Sequence, residues 1–390
     1  TSIDMKLTLP GNKVQWGDIP PLENLKGKIR ITDTNPEFDD VTANFLGGSL
    51  KITTAPSTPG NQNYSIKGDM KANFIKNYFA THANHQVNAL TKVLSGSIKY
   101  DGNLNFSKAG GETNLKFDMR DFGSAAPYPA SKAVGLPMSG QLTLKNTQAN
   151  KTNPSSISWA GKMGDLYTVQ GVLGSDNEVR AALGIGGPAN LPQQGFSLNL
   201  LINELNFDAW HEFFDNQHKT TATQDTHRSS SGSSQITAQI KKLTAFEHNW
   251  NDVGVISNQK NGAWQIRLLS QQAAGQIQFQ EANQDHPNGL LSGSMSRLRM
   301  TDGTANVLPK NSTGTANQKI LEPNDIPSLD LTIEDFAWSR AQLGQVKIKA
   351  ISSNNVLKLD SFQTNNPQAS TNTSGPVSYT HLRAHETGRN

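Results

Sequence analysis

Few residues of this chain have the types and spacing that metal binding needs, and the histidines come nearest to it. His381 and His385 stand four residues apart with Glu386 beside them, and two histidines at i and i+4 of a helix can share one metal ligand face. The surrounding segment, however, lacks the apolar periodicity on which a helix is built. His248 is interpreted as structural. Five further histidines lack a carboxylate at convincing metal-ligand spacing: His82, His85, His211, His218 and His227. The sequence therefore predicts no metal site and no cofactor.

Paired carboxylates and glycine-rich or serine-rich runs give no better case for catalysis. Adjacent residues of a strand point to opposite faces, so Asp39–Asp40 and Glu334–Asp335 would not converge on one substrate. The run Gly184–Gly187 is followed by Pro188 rather than by a helix, which disfavours a phosphate cradle. Ser229–Ser234 is typical of a linker, and the chain has no GxSxG nucleophile motif. We therefore expect a protein that is not an enzyme.

Composition excludes several further classes. The chain has 390 residues, of which 35% are hydrophobic, and its mean hydropathy is -0.54, whereas a compact globule of this length usually has more apolar content. A net charge of +3 gives no nucleic-acid footprint. The absence of cysteine excludes disulfides and thiol chemistry and is compatible with a periplasmic location. No run approaches the roughly 18 apolar residues of a membrane span. The chain opens without a signal peptide, in what looks like the middle of a strand at Thr1, so we expect a fragment.

The elements that must position any site are short strands, and Gly195–Phe214 shows the pattern best. Phe196, Leu198, Leu200 and Ile202 alternate with more polar residues, as in a strand with one apolar face. A short helix with an apolar side is predicted to follow. About twenty such strands with turn signals between them predict an all-β fold, and alternation rather than continuous apolar runs predicts antiparallel pairing. A sheet of so many strands would be elongated and twisted.

The apolar faces allow two interpretations. From composition alone, the core of a closed β-sandwich is favoured. The small hydrophobic fraction, and the lack of a second set of strands to cover the first, favour an uncovered apolar face, which a lipid-binding groove requires. The residues predicted to line such a groove are Leu115, Phe117, Met119, Phe196, Leu198, Leu200, Ile202, Leu329, Leu331 and Ile333.

Several segments resemble the YhdP branch of the AsmA-like proteins, and the resemblance covers most of Thr1–Gly375 without a catalytic signature. The resembling segments are PPLENLKGKIRI with FLGGSLKI (Pro20–Ile52), GFSLNLLINELNFDAW (Gly195–Trp210), GAWQIRLLSQQAAGQIQF (Gly262–Phe279), IPSLDLTIEDFAWSRAQLGQVKIKA (Ile326–Ala350) and LKLDSFQTNNPQASTNTSG (Leu357–Gly375). The resemblance implies a repeating β-groove in a large envelope-spanning protein of Gram-negative bacteria. It also implies an N-terminal helix in the inner membrane, a periplasmic remainder, and a part in phospholipid movement toward the outer membrane and in its permeability barrier.

The predicted organisation has four parts. Residues 1–215 are a β-groove segment with short amphipathic helices near 73–94 and 208–215. Residues 216–235 are a flexible polar insert, because they cannot bury enough apolar surface to order themselves. Residues 236–375 continue the β-groove. Residues 376–390 are predicted to be an artefact, since Val377–Thr387 resembles translated sequencing-adapter DNA.

The leading functional hypothesis is a lipid-transfer bridge whose partners are phospholipid acyl chains and, through segments outside this chain, the inner and outer membranes. Nucleic acid is not expected as a partner. The second hypothesis is a structural envelope scaffold with a closed β core that carries no lipid. A third, a β-helix enzyme acting on envelope polysaccharide, would need paired carboxylates in an exposed cleft. The carboxylate spacing disfavours the enzyme, and the first two hypotheses differ in whether one sheet face is open and apolar along its length.

Overall fold

The structure is a computed structural model that describes residues 4–15, 20–32, 36–58, 60–82, 85–149, 154–218, 233–260, 262–300, 326–353, 356–366 and 370–377. The chain divides into two compact units. Unit 1 consists of Thr1–Leu201 and Ala209–Arg228, and unit 2 of Ile202–Asp208 and Ser229–Asn390.

Unit 1 contains a continuous ladder of strands, most of them about ten residues long. The strands are β1 (Asp4–Val14), β2 (Leu22–Thr32), β3 (Pro36–Phe45), β4 (Gly48–Ala55), β5 (Asn61–Lys71), β6 (Leu94–Ser107), β7 (Gly110–Asp118), β8 (Phe122–Ser124), β9 (Ser139–Thr147), β10 (Ser156–Met163), β11 (Tyr167–Gly174), β12 (Val179–Ile185) and β13 (Gly195–Asn206), the last of which ends in unit 2. Each strand pairs with the next along the chain, except that β7 pairs with β9 and the short β8 pairs with the start of β6.

Unit 2 repeats this meander. Its remaining strands are β14 (Ser234–Ala245), β15 (His248–Lys260), β16 (Ala263–Leu269), β17 (Ala273–Gln280), β18 (Leu290–Met300), β19 (Ser328–Trp338), β20 (Ala341–Ser353), β21 (Val356–Asn365) and β22 (Ser370–Val377). They are hydrogen-bonded in chain order. Strands that follow one another with short turns pair as neighbours because little chain entropy is lost in closing each turn.

The all-β, antiparallel prediction is confirmed, and the structure adds two parallel pairs to it. β12 pairs with β13 in parallel, and β18 with β19. In each case the two strands run in the same direction, so that their first residues lie side by side. Parallel strands need a crossover connection, which alternation in the sequence does not reveal.

Three short helices interrupt the described strands: α1 (Ala72–His82), α2 (His85–Lys92) and α3 (Phe207–His218). In α3 the apolar side consists of Trp210, Phe213 and Phe214, whose ring centroids lie 5.3 to 5.8 Å apart. Asp208, in the first turn, accepts hydrogen bonds from the backbone N–H groups of Phe246 and Glu247 at 2.7 and 2.9 Å, and so closes the β14–β15 turn. Within the described ranges, no helix combines the length and apolar character needed to cross a membrane.

Two of the predicted boundaries fall close to element ends. The helix predicted at 208–215 runs to His218, three residues into the predicted insert 216–235, of which 219–232 lie outside the described residues. β22 ends at Val377, two residues into the predicted artefact, and residues 378–390, including His381 and His385, also lie outside the described residues.

Candidate functional site

The strand register of unit 1 aligns apolar side chains into rows that run across the sheet. Because paired residues project to the same face, each row can be followed from strand to strand. The central row is Ile52, Ile66, Gly102, Leu115, Leu142, Gly161, Val169, Leu183 and Leu198. The row on one side is Leu50, Gly68, Tyr100, Phe117, Gly140, Met163, Tyr167, Ile185 and Leu200, and the row on the other side is Thr54, Tyr64, Leu104, Thr113, Leu144, Trp159, Gly171, Ala181 and Phe196. We call the face that carries these rows the apolar face. At about 4.8 Å per strand the rows extend for about 40 Å.

The opposite face, which we call the polar face, is built from the residues in between. Its central row is Lys51, Lys67, Asp101, Lys116, Gln141, Lys162, Thr168, Gly184 and Asn199. The charged members of this row are exposed. The division of unit 1 into an apolar and a polar face therefore holds from β4 to β13.

Unit 2 has the same division. Its apolar rows are Ala238, Val255, Leu268, Gly275, Met295, Ile333 and Val346, then Ile236, Ser257, Ile266, Ile277, Gly293, Leu331, Ile348 and Phe362, and then Trp264, Phe279, Leu291, Leu329, Ala350 and Leu359. The intervening polar row is Thr237, Ile256, Arg267, Gln276, Ser294, Thr332, Lys347 and Gln363. Only Ile256 in this row is a large hydrophobic residue.

Burial on the apolar face of unit 1 differs from that of a closed sandwich core. In the central row Leu115, Leu142, Val169, Leu183 and Leu198 are all half-buried. A second sheet packed face to face would bury such side chains almost completely. These five side chains therefore pack against their neighbours along the sheet while staying partly accessible, whereas Leu50, Tyr64, Ile66, Tyr100 and Leu200 of the same face are buried.

Glycines within the apolar rows allow aromatic rings to lie flat on the sheet. A Cβ built on Gly171 would overlap the indole of Trp159 from the neighbouring strand, and one built on Gly111 would come within 2.9 Å of the ring of Phe106. The ring of Tyr100 covers Gly68 in the same way. Rings that lie along the sheet leave a smoother surface than side chains that project from it to interdigitate with an opposing layer.

The two rims of the unit 1 sheet, where the strands end, are different. α1 and α2 follow β5, and the loop 119–138 follows β7, so all of these lie at one rim, which we call the helix rim. This loop is anchored, because Trp210 Nε1 donates to the carbonyl of Tyr128 at 2.9 Å and the hydroxyl of Tyr167 donates to the carbonyl of Pro129. At the opposite rim, four apolar-face side chains remain accessible: Phe106 (43% exposed), Ile157 (41%), Val179 (51%) and Phe196 (41%).

The predicted lining residues divide between the units. Leu115, Phe117, Phe196, Leu198 and Leu200 share the apolar face of unit 1, where Leu200 is buried. Met119 lies just beyond the end of β7 and is buried. In unit 2, Leu329, Leu331 and Ile333 lie on the apolar face, and Ile202 is buried.

Sequence reasoning missed several members of the central row. Leu142, Val169 and Leu183 are as accessible as Leu115 but were not among the predicted lining residues. Alternation within their own strands would have identified them. Their alignment with Leu198, however, depends on the parallel β12–β13 pair, for which the sequence carries no local signal.

The polar face of β12 and β13 is covered by the crossover that joins them. Ser197 is buried there, and its hydroxyl donates to the carbonyl of Asn190. Asn199 Nδ2 donates to the carbonyl of Pro188 at 3.0 Å, and Thr168 Oγ1 to that of Gly187 at 2.9 Å. The side chains on this part of the polar face are therefore occupied in holding the crossover.

Titratable groups with shifted pKa values in unit 1 have structural causes. Burial raises the pKa of Tyr100 to about 12, and the nearby Asp69 carboxylate adds to the shift. Hydrogen bonds from the hydroxyl and backbone N–H of Ser49 lower the pKa of Asp69. The Asn114 amide and the Lys145 ammonium lower the pKa of Glu112. Each shift follows from local packing or pairing, and these groups are not gathered around one reacting centre.

The described residues contain no group of three histidine, cysteine or carboxylate side chains that could hold a metal ion. Where histidine side chains are described, their contacts are local. The imidazole of His82 stacks on Tyr78, His211 lies 3.5 Å from Asp215 one turn along α3, and His248 Nδ1 contacts the carbonyl of Phe246 at 2.6 Å.

Each unit has a cavity on its polar face. One of about 650 Å³ lies over β15–β18 in unit 2, and one of about 560 Å³ lies over β9–β11 and the β12–β13 crossover in unit 1. A twisted sheet is saddle-shaped and so can be concave along one diagonal on each of its faces. Concavity of the polar face is therefore compatible with an accessible apolar face.

Comparison with known proteins gives one match. No curated protein and no solved structure matches the chain. The family model described as YhdP protein matches residues 2–388, which is nearly the whole chain. The apolar face described above is thus carried by a member of a defined family: the chain belongs to the YhdP protein family.

Proposed function

We propose that this chain is the periplasmic part of an inner-membrane-anchored bridge that moves phospholipid toward the outer membrane and so supports its permeability barrier. The acyl chains would lie along the apolar rows. The observation that carries the proposal is the central row of unit 1, which continues across nine paired strands while most of its large side chains stay half-buried. Family membership supports an envelope protein of this kind.

The physical basis is the cost of exposing acyl chains to water. Each CH₂ group taken from an apolar environment into water costs about 0.8 kcal/mol, so a free phospholipid cannot cross an aqueous space at a useful rate. A row of similar apolar side chains removes most of that cost, and no single position along the row binds the lipid much more tightly than the others. Neighbouring positions then differ little in energy, which allows the lipid to slide. No nucleophile, metal or cofactor is needed for such passage, and we propose none.

The rim asymmetry of unit 1 suggests how the lipid would be oriented. The helix rim carries α1, α2 and the anchored loop, whereas the other rim exposes Phe106, Ile157 and Val179. Acyl chains would enter from this accessible rim, and the head group would stay in water beside it. Charged residues close to this rim, such as Arg180 and Glu178, suit a zwitterionic head group.

The competing function is a scaffold with a closed β core that carries no lipid. Native mass spectrometry of the full chain, purified without detergent from bacterial membranes, separates the two. Our proposal predicts mass additions that correspond to phospholipid and that disappear after organic extraction. A lipid-free protein that also fails to take up a fluorescent phospholipid from vesicles would contradict transport and favour the scaffold.

A further inference from the structure

The polar face of unit 2 carries a concave surface whose hydrogen-bonding groups are unused. The cavity of about 650 Å³ over β15–β18 is lined on this face by amide and hydroxyl side chains, one guanidinium and the apolar side chain of Ile256. We call this surface the amide trough; it consists of Asn258, Gln265, Arg267, Gln276, Gln278, Ser292 and Ser294.

The trough is ordered by strand pairing. Gln265 pairs in register with Asn258 and Gln278, and Gln278 in turn with Ser292. A second line runs from Arg267 through Gln276 to Ser294. One line of polar groups therefore crosses four strands and the other crosses three, with a step of about 4.8 Å from one strand to the next.

Two glutamines of unit 2 outside the trough are hydrogen-bonded to carboxylates. Gln259 Nε2 donates to Glu281 Oε1 at 2.9 Å, and Gln271 Nε2 donates to Asp252 Oδ2 at 2.6 Å. Among the described residues, Gln265, Gln276 and Gln278 have no side-chain hydrogen-bond partner. Gln259 projects to the apolar face, where it pairs in register with Trp264, whereas the trough glutamines are exposed on the polar face with their donors and acceptors available to a ligand.

The chemistry of the lining selects among polymers. Arg267 is the one charged side chain that lines the cavity, and a nucleic acid would need several cations to neutralise its phosphates. An acyl chain would leave the amides unpaired at a cost. Neutral amides and hydroxyls match the hydroxyl and N-acetyl groups of a sugar chain. Ile256 and Leu269, which are 51% and 62% exposed on the same face, offer apolar contact to the C–H faces of sugar rings.

We propose that the amide trough binds a β-1,4-linked chain of N-acetylated sugars. An extended β-1,4 chain advances by nearly the distance between neighbouring strands for each sugar, so successive rings can meet successive strands. Gln265 and Gln278 would form hydrogen bonds with the N-acetyl and hydroxyl groups, and the Arg267 guanidinium would donate to an acidic substituent on the sugar. The site lies on the opposite face from the proposed lipid path and is independent of it.

The test is titration of the full chain with chitohexaose, followed by NMR, with dextran of similar size as the control sugar. We expect chitohexaose to shift the amide signals of β15–β18 with an affinity in the millimolar range or tighter, and dextran to leave them unchanged. The double variant Gln265→Ala/Gln278→Ala loses two neutral hydrogen-bonding groups and should bind about tenfold more weakly. Gln363→Ala, an exposed glutamine of the same face outside the cavity, should bind normally.

Three results would overturn the proposal. These are no shift with chitohexaose in the millimolar range, equal binding of dextran, or equal binding by the double variant and the parent chain. Thermal unfolding of both variants checks that they are folded. Bound phospholipid, measured on the same samples, should be unchanged by Gln265→Ala/Gln278→Ala, so failure of this proposal is distinguishable from failure of the lipid proposal.

Discussion

Units 1 and 2 achieve the same division into an apolar and a polar face with different residues. In unit 1 aromatic rings lie over glycines, as Trp159 does over Gly171 and Tyr100 over Gly68. In unit 2 the middle row is mostly aliphatic, with Ile266, Ile277 and Leu331 in register. The two faces therefore depend on alternation and register, while the side chains that fill each row can vary.

The units differ most in what surrounds the apolar face. Unit 1 has helices and an anchored loop along one rim, whereas the described strands of unit 2 after β14 follow one another without a helix. If acyl chains bind the apolar faces of both units, changes in the apolar rows should reduce lipid binding in both units. Changes in the helices and loop of the helix rim should affect unit 1 alone.

The largest effect is expected from a charge placed in the apolar rows. Leu142→Glu in unit 1 and Leu331→Glu in unit 2 should each reduce bound phospholipid about tenfold or more, because a carboxylate in contact with acyl chains is poorly solvated. Native mass spectrometry measures the bound lipid.

Neighbours in sequence provide the matched controls for these charges. Gln141→Glu lies on the polar face between Lys116 and Lys162, and Thr332→Glu lies beside Lys347, so both carboxylates gain a cationic neighbour. Both variants should keep their lipid. Loss of lipid from Leu142→Glu but not from Leu331→Glu would restrict the lipid path to unit 1, and the two units would then differ in function.

A smaller effect is expected from filling a glycine under an aromatic ring. Gly171→Ala would force the indole of Trp159 off the sheet and should lower the free energy of unfolding by about 2 kcal/mol. Gly254→Ala, on the polar face of unit 2, meets no atom closer than 3.7 Å and should change it by less than about 0.5 kcal/mol. Urea unfolding measures both, and equal effects would show that the flat ring of Trp159 is not constrained by Gly171.

Each unit also has one buried hydroxyl on its apolar face without a hydrogen-bond partner among the described residues: Tyr100 in unit 1 and Ser257 in unit 2. An unpaired buried hydroxyl costs free energy, so Tyr100→Phe and Ser257→Ala should leave stability unchanged or raise it by up to about 1 kcal/mol. Thermal unfolding measures the change. A clear loss of stability in either variant would mean that the hydroxyl is bonded in solution.

The smallest effect concerns acid sensitivity in unit 1. Ser49 lowers the pKa of Asp69, so this pair adds stability above the ordinary carboxyl pKa of 3.8 and loses it as the pH falls through the lowered value. Ser49→Ala should raise the Asp69 pKa toward 3.8, as followed by the NMR signal of its carboxyl carbon. An unchanged value would assign the shift to the backbone N–H at position 49 and the lysines nearby rather than to the Ser49 hydroxyl.

Much of this fold could be predicted because alternation is local. The alternation of Phe196, Leu198 and Leu200 predicts both the strand and its apolar face within a few residues. The alignment of the rows could be predicted less well, since it depends on the bulges within hairpins and on the two parallel strand pairs, β12–β13 and β18–β19. Ser197 illustrates the limit: its position in the strand predicts the polar face, but its burial depends on a crossover that folds back over it. The amide trough was missed for a related reason, because Gln265, Gln278 and Ser292 lie far apart in sequence.

The most direct test of the account is site-specific photo-crosslinking in living bacteria at adjacent positions on opposite faces. A benzophenone amino acid at Leu115 or Ile266 should capture phospholipid, and the same probe at Lys116 or Gln265 should not, because the two members of each pair project to opposite sides of one strand. Mass spectrometry of the adducts identifies the lipid. Capture confined to Leu115 and Ile266 is the predicted result, and equal capture on both faces, or capture at Lys116 and Gln265 alone, would contradict it.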